Sequence, residues 1–158
     1  MESTEIVKAP ELRVEQWINA DGKELSSPIN LSDYEGKFKI IYCYQHWCPG
    51  CHSHGLPSLQ RLVNEFKDND KIAFLAVQTV FEGTDVNTFD KLRETQKKYN
   101  LDIPFGHDPG DGRSTIMEDY KTGGTPWFIF IDQENTIVFA DFHINPDGAV
   151  EYLNKILK

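Results

Sequence analysis

A pair of cysteines that follows a hydrophobic segment constrains this chain more than any other feature. The segment Phe38–Tyr44 is almost wholly apolar, which is typical of a buried strand, and Trp47-Cys48-Pro49-Gly50-Cys51 comes directly after it. Helical periodicity begins at Cys48 and continues over residues 48–66. Because positions i and i+3 share one face of a helix, the two sulfurs lie within bonding reach. The sequence therefore predicts a redox-active dithiol at a strand-to-helix junction.

The cysteines are expected to behave differently. Cys48 falls near the N-terminus of the helix, where unpaired backbone N–H groups and the helix dipole favour a thiolate over a thiol. The thiolate is the form that attacks disulfides, so Cys48 is the candidate nucleophile and Cys51 the candidate resolving cysteine. Cys43 lies inside the predicted strand and is expected to be a small buried hydrophobic residue.

Size and charge narrow the class of protein. With 158 residues, we expect one domain over 1–158 and a flexible tail over 1–8. The net charge of -9 argues against nucleic acid and anionic membranes as partners. No apolar run approaches the roughly 20 residues of a membrane-spanning helix. Because the N-terminus lacks the features of a secretory signal, the chain as written is expected to be cytoplasmic, or extracytoplasmic if a leader was removed.

The other elements follow from alternation, periodicity and turn signals. The sequence predicts an N-terminal β-hairpin that turns at Asp21-Gly22, and a strand buried on both faces at 72–77. Pro57 predicts a kink in the helix after the dithiol. Further helices are predicted over 88–99, 114–120 and 146–157, a short edge strand at 103–105, and a second hairpin over 126–140. This order is typical of a mixed sheet with helices on both faces.

The chain resembles the thioredoxin superfamily at three points: the strand that leads to Trp47 and the Cys-x-x-Cys pair, the kinking proline, and Thr125-Pro126 before a hydrophobic strand. That family places a cis-proline loop beside the dithiol at this last position. The run Leu31-Ser32-Asp33-Tyr34-Glu35-Gly36-Lys37 is similar to the loop before the first core strand of TlpA-like and AhpC/TSA redoxins. The resemblance covers residues 9–157. It implies a thioredoxin-like mixed β-sheet flanked by helices on both faces, with an N-terminal β-hairpin and a helix-strand insertion.

The resemblance also implies a function. A member of this group exchanges disulfides with protein substrates, and its partners are protein disulfides or dithiols together with an upstream reductant or oxidant. Trp47, Thr125 and Pro126 would bind the substrate, and no cofactor is implied. The Pro-Gly pair between the cysteines supplies no histidine that would stabilise the thiolate strongly, which favours a reductase over an oxidant. His46 and His52 flank the motif and would act in the opposite sense if charged.

One departure concerns proton transfer. Thioredoxin buries an aspartate, its proton acceptor, at the strand position that Tyr42 occupies here. A carboxylate after the second core strand is a candidate substitute, and Glu82 follows that strand. If Glu82 is partly buried beside the dithiol, its raised pKa would suit a general acid or base.

The same residues suggest three other classes of protein. The two cysteines with His46, His52 and His54 offer enough ligands for a metal-binding or metal-delivery protein, although His52 and His54 are expected on an exposed turn. The run 48–52 also fits the c-type haem signature, but its place on a strand-to-helix corner argues against haem. The Thr or Ser and the Pro that precede a peroxidatic cysteine are replaced by Gln45 and Ile41, which excludes a peroxidase.

Overall fold

The structure is a computed structural model that describes residues 7–81, 83–109 and 114–157. Its strands are β1 (Gln16–Ile18), β2 (Phe38–Tyr44), β3 (Ile72–Thr79), β4 (Phe105–Asp108), β5 (Trp127–Ile131) and β6 (Ile137–Asp141). Its helices are α1 (Leu56–Phe66), α2 (Lys91–Lys98), α3 (Thr115–Tyr120) and α4 (Pro146–Ile156). A 3₁₀ turn (Leu31–Tyr34) and a π-helical turn (Cys51–Gly55) complete the list. Across the described residues, no helix combines the length and apolar character needed to cross a bilayer.

The six strands form one mixed sheet in the order β1-β4-β3-β2-β5-β6. At its centre β2 and β3 run parallel, with Phe38 opposite Ile72, and β5 runs antiparallel to β2. Every residue of β2 and β3 is buried, which explains why both read as continuous apolar runs without alternation. The predicted buried strands and the predicted mixed sheet are therefore confirmed.

Helices cover both faces of the sheet. Successive side chains of a strand point to opposite faces, so Tyr42 packs into one core and Cys43 into the other. The first core also contains residues of α1, α2 and α4, such as Leu59, Leu92 and Leu153. The second core contains residues of α3, such as Ile116 and Tyr120, and of the N-terminal segment. The helical segment over residues 49–66, which we call the dithiol helix, therefore lies on the face that Tyr42 shares.

The N-terminal hairpin is shorter than the sequence predicts. It is reduced to a bridge between Ile18 and Glu24, and β1 pairs mainly with β4, with Gln16 opposite His107. As a result β4 lies between β1 and β3, so the prediction of an edge strand was wrong. Strand β4 also begins after Pro104 rather than at residue 103 as predicted, because Pro104 has no N–H to donate to a neighbouring strand. Alternation in the sequence identifies a half-buried strand but does not identify its partner.

The structure also differs from the prediction at the end of the N-terminal tail and at the start of one helix. Val7 and Lys8 pair with the turn between β5 and β6: the Ile137 N–H donates to the Val7 carbonyl at 2.8 Å, and Lys8 bridges Thr136. The tail prediction was wrong for these two residues, and 1–6 lie outside the described residues. Helix α2 begins at Lys91 rather than at 88. It follows a turn in which each backbone N–H bonds the carbonyl three residues earlier instead of four. The helices predicted over 114–120 and 146–157 are confirmed within one residue at each end.

The irregularity expected at Pro57 is a π-helical turn that precedes it. Pro57 has no N–H for the carbonyl four residues earlier, so the chain widens between Cys51 and Gly55. The carbonyl of Cys51 accepts the Leu56 N–H, and it also accepts the Tyr42 hydroxyl at 3.0 Å. Only a glycine fits at position 55, because a Cβ there would overlap the hydroxyl oxygen of Tyr42.

Substituting Gly55→Ala should therefore destabilise the protein. We expect the free energy of unfolding to fall by about 1–3 kcal/mol, since the methyl group has no room beside buried Tyr42. Gly148→Ala in α4 is the matched control, because a Cβ there would lie 3.8 Å from Asn145, an ordinary van der Waals distance. Urea unfolding of both variants measures the change. A Gly55→Ala variant as stable as the native protein would show that the Gly55–Tyr42 contact does not constrain the turn.

Candidate active site

The two cysteines of the motif form a disulfide at the junction of β2 and the dithiol helix. Their Cα atoms lie 5.3 Å apart, a separation typical of disulfide-bonded cysteines. Cys48 is half-buried and Cys51 is completely buried. Cys48 is therefore the more accessible of the two cysteines, whereas the sulfur of Cys51 is covered.

The Cys48 sulfur lies where backbone N–H groups point. The N–H of Cys51 donates to the Cys48 Sγ at 3.2 Å, because the chain enters a helix at this point. A hydrogen bond to a charged form lowers the free energy of that form, and the positive end of the helix dipole acts in the same sense. Both effects favour a thiolate at Cys48 after reduction.

Tyr42 supports the helix from below and cannot accept the proton of Cys51. It is completely buried, and burial raises its pKa well above the ordinary value. The hydroxyl therefore stays protonated and donates to the Cys51 carbonyl. Its ring packs on Phe128 with centroids 4.7 Å apart, and on Tyr44 at 5.9 Å.

Glu82 lies outside the described residues, so its role stays a prediction. The loop on its C-terminal side reaches the active site. Gly83, at φ +61°, lies under the ring of Trp47, where a Cβ would approach the ring to 2.8 Å. The backbone N–H of Trp47 donates to Asn87 Oδ1 at 3.3 Å. Trp47 is 45% exposed, so it offers an apolar surface next to Cys48.

The Thr125-Pro126 peptide bond is cis, as the resemblance predicted. Pro126 is buried, and its Cδ lies 3.7 Å from the position that a Cβ on Gly50 would take. This loop therefore packs against the segment between the two cysteines. Thr125 is partly exposed beside it. The structure thus brings together Trp47, both cysteines of the motif and the cis-proline.

His52 does not lie on an exposed turn, and that prediction was wrong. Its imidazole is half-buried, with Nε2 2.5 Å from the His46 carbonyl oxygen and Nδ1 2.7 Å from the Tyr99 hydroxyl. His46 Nδ1 lies 3.4 Å from Thr95 Oγ1. Burial lowers the pKa of both histidines, so both are mainly neutral at neutral pH. Nothing in the local sequence identifies these partners, because Tyr99 follows His52 by 47 residues.

His54 is exposed, as predicted, and its ring centroid lies 6.3 Å from that of His143. Within the part of the chain that the structure describes, no three His, Cys, Asp or Glu side chains converge as a metal site requires.

Cys43 is free and completely buried in the core opposite the dithiol helix. Burial raises the pKa of its thiol to about 12. The predicted role as a small hydrophobic residue is confirmed, and a thiol so protected is inert in exchange reactions.

Comparison with known proteins agrees with this geometry. The AhpC/TSA family model matches residues 7–153. The chain belongs to the AhpC/TSA family. It is similar to a thioredoxin-like superfamily protein, SPOA0173, whose crystal structure superposes with a TM-score of 0.83 at 32% identity over 96% of each chain. A thiol-disulfide isomerase from Corynebacterium glutamicum superposes with a TM-score of 0.77 at 25% identity, over 95% of this chain and 97% of the other.

A curated relative carries a related name. The thiol-disulfide oxidoreductase ResA of Oceanobacillus iheyensis is 28% identical over 131 residues, which are 82% of this chain and 62% of ResA. The probable nucleoredoxin 1 of Arabidopsis thaliana is 29% identical over 107 residues, which are 66% of this chain and 17% of that protein. The chain therefore spans less than two thirds of the length of both curated relatives.

The environments of the three cysteines predict an order of alkylation. In the reduced protein, iodoacetamide near neutral pH should modify Cys48 first, because the residue is partly exposed and its sulfur accepts the Cys51 N–H. Cys51 and Cys43 should react at least about ten-fold more slowly until the protein is unfolded. Peptide mapping by mass spectrometry over time measures the three rates, and equal rates would contradict the asymmetry.

Proposed function

We propose that this protein is a thiol-disulfide oxidoreductase that exchanges disulfides with protein substrates through Cys48 and Cys51. One observation carries the proposal: Cys48 is partly exposed, its sulfur accepts a backbone N–H, and it is paired with a completely buried Cys51. Membership of the AhpC/TSA family and the name of ResA support it. Gln45 and Ile41 in place of the peroxidase residues argue against peroxide as the substrate.

The reaction runs in two exchange steps. The Cys48 thiolate attacks one sulfur of a substrate disulfide, that disulfide breaks, and the leaving sulfur departs as a thiolate that takes up a proton. A mixed disulfide now joins Cys48 to the substrate. Cys51 loses its proton and attacks the Cys48 sulfur, which releases the second substrate sulfur and closes the Cys48–Cys51 disulfide. Two electrons have passed to the substrate, whose disulfide is reduced to two thiols.

Substrate docking is assigned to the surface around the dithiol. Trp47 offers an exposed apolar ring, and the backbone of Thr125 offers hydrogen bonds to an extended substrate segment. Pro126 fills the space beside Gly50 and shapes the surface next to Thr125. A partner that presents its disulfide on an extended segment fits this arrangement. Main-chain hydrogen bonds to such a segment do not depend on its side chains.

The direction we propose is reduction of the substrate. A strong oxidant needs a heavily stabilised thiolate, commonly through a nearby positive charge. His46 and His52 flank the motif, but burial lowers the pKa of both, so neither carries a positive charge at neutral pH. An upstream dithiol reductant would then return Cys48 and Cys51 to the reduced state.

Turnover of a model substrate tests the function. With dithiothreitol as reductant and insulin as substrate, the native protein should accelerate insulin reduction, and Cys48→Ser should abolish the acceleration. Cys43→Ser is the matched control and should retain it, because Cys43 is buried in the opposite core. Native protein that leaves the rate unchanged would contradict the proposal, and stoichiometric zinc or copper after purification under reducing conditions would favour the metal-binding alternative.

Glu82 is the proposed acceptor of the Cys51 proton. A buried thiol holds its proton tightly, and Tyr42 stays protonated, so another group must take it. We expect Glu82→Gln to slow insulin reduction by about ten-fold or more and to change the acidic limb of its pH-rate profile, to which ionisation of Cys48 also contributes. Glu94→Gln on α2, at an exposed position, is the control. An unchanged rate and profile in Glu82→Gln would assign the proton to solvent instead.

A further inference from the structure

His52 joins the two segments on either side of the dithiol. It follows Cys51 directly, yet its ring reaches back to the carbonyl oxygen of His46, two residues before Cys48. The ring also packs edge-on against that of His46, with centroids 5.8 Å apart. A single side chain thus connects the turn that leads to Cys48 with the helix that follows Cys51.

The hydrogen bonds fix one tautomer of His52. A carbonyl oxygen only accepts, so Nε2 carries the proton and donates it to His46. In the neutral ring Nδ1 is then an acceptor, and the Tyr99 hydroxyl donates to it at 2.7 Å. Burial raises the pKa of Tyr99, which keeps this donor protonated.

Tyr99 is itself held from two sides. It caps the C-terminus of α2, and its carbonyl oxygen accepts the side-chain N–H of Gln60 from α1 at 2.6 Å. Its ring lies 5.6 Å from that of His52, and its hydroxyl oxygen lies 3.3 Å from the His52 carbonyl. The anchor of the histidine is therefore built from two helices rather than from a loose loop.

We propose that His52 and Tyr99 are positioning residues for the reactive cysteine: the chain Tyr99–His52–His46 holds the turn before Cys48 so that its sulfur stays on the Cys51 N–H. This inference rests on the proposed function, because it assigns the two residues a part in the same exchange reaction. Both residues act through the backbone: the His52 ring bonds the His46 carbonyl, and the His52 N–H donates to the Cys48 carbonyl at 3.3 Å.

The physical consequence concerns the Cys48 thiolate. Several hydrogen bonds restrain residues 45–48. They include the His52 bond to His46, the Cys48 N–H to the Gln45 carbonyl at 3.1 Å, and the Trp47 N–H to Asn87. Loss of the first allows the turn to widen and the distance from Cys48 Sγ to the Cys51 N–H to grow. A weaker hydrogen bond to the charged form raises the pKa of the thiol and lowers the thiolate fraction at neutral pH.

The sharpest test removes a single oxygen atom. Tyr99→Phe keeps the ring and deletes the donor to His52, and Tyr152→Phe makes the same change at a tyrosine of α4 that is 40% exposed. We expect Tyr99→Phe to raise the pKa of Cys48, measured by thiolate absorbance against pH. Alkylation of Cys48 at neutral pH should slow by about two- to four-fold, since a net hydrogen bond is modest and a less acidic thiol is more nucleophilic. Tyr152→Phe should leave both quantities unchanged.

Substitution of the histidine provides the second arm. His52→Leu should produce a larger rise in the pKa of Cys48, whereas His52→Gln, whose amide can still donate to the His46 carbonyl, should recover most of the native value. His143→Leu at an exposed position is the control for loss of an imidazole. Circular dichroism shows whether each variant folds. If His52→Leu does not fold, the Cys48 pKa of Tyr99→Phe tests the inference by itself.

Two results would overturn the inference. One is a native Cys48 pKa in Tyr99→Phe, and the other is a lower melting temperature in the variants with an unchanged Cys48 pKa and alkylation rate, which is the signature of a purely structural role. These outcomes differ from failure of the proposed function. In that case the native protein does not accelerate insulin reduction, whatever the pKa of Cys48 in the variants.

Discussion

The hydrogen bond from the Cys51 N–H to the Cys48 sulfur is the interaction on which the active site depends. It forms because the chain leaves a completely buried strand, turns, and enters a helix within a few residues. The helix is then fixed by contacts that lie away from the sulfurs. Tyr42 donates to the Cys51 carbonyl from the sheet below, and His52 reaches the turn before Cys48 from the side. The reactive sulfur is thus held by groups that take no part in exchange.

The three cysteines show how environment decides the chemistry of one residue type. Cys43 precedes the motif by only a few residues, yet it points into the opposite core, where burial raises the pKa of its thiol to about 12. Cys51 is equally buried but lies within bonding distance of Cys48. Only Cys48 combines partial exposure with a backbone donor. Alternation along β2 and the start of the helix produce this division of roles.

Local patterns predicted the parts of the fold that depend on neighbouring residues. The buried strand Phe38–Tyr44, the hairpin of β5 and β6, and the start of α4 follow from apolar runs, turn residues and a proline at the first helical turn. The partner of β1 did not follow, because His107 lies far along the chain from Gln16. The partners of His52 were missed for the same reason. Glu82 remains a prediction from the family resemblance.

Trapping the intermediate tests the central claim most directly, which is that Cys48 is the sulfur that attacks. The Cys51→Ser variant, reduced and then mixed with insulin, should stop at a mixed disulfide, because the resolving thiol is absent. Mass spectrometry of the proteolysed adduct identifies the cysteine that carries the insulin chain. An adduct on Cys48 alone is the predicted result. An adduct on Cys43, or no adduct with a correctly folded variant, would contradict the assignment of Cys48 as the nucleophile.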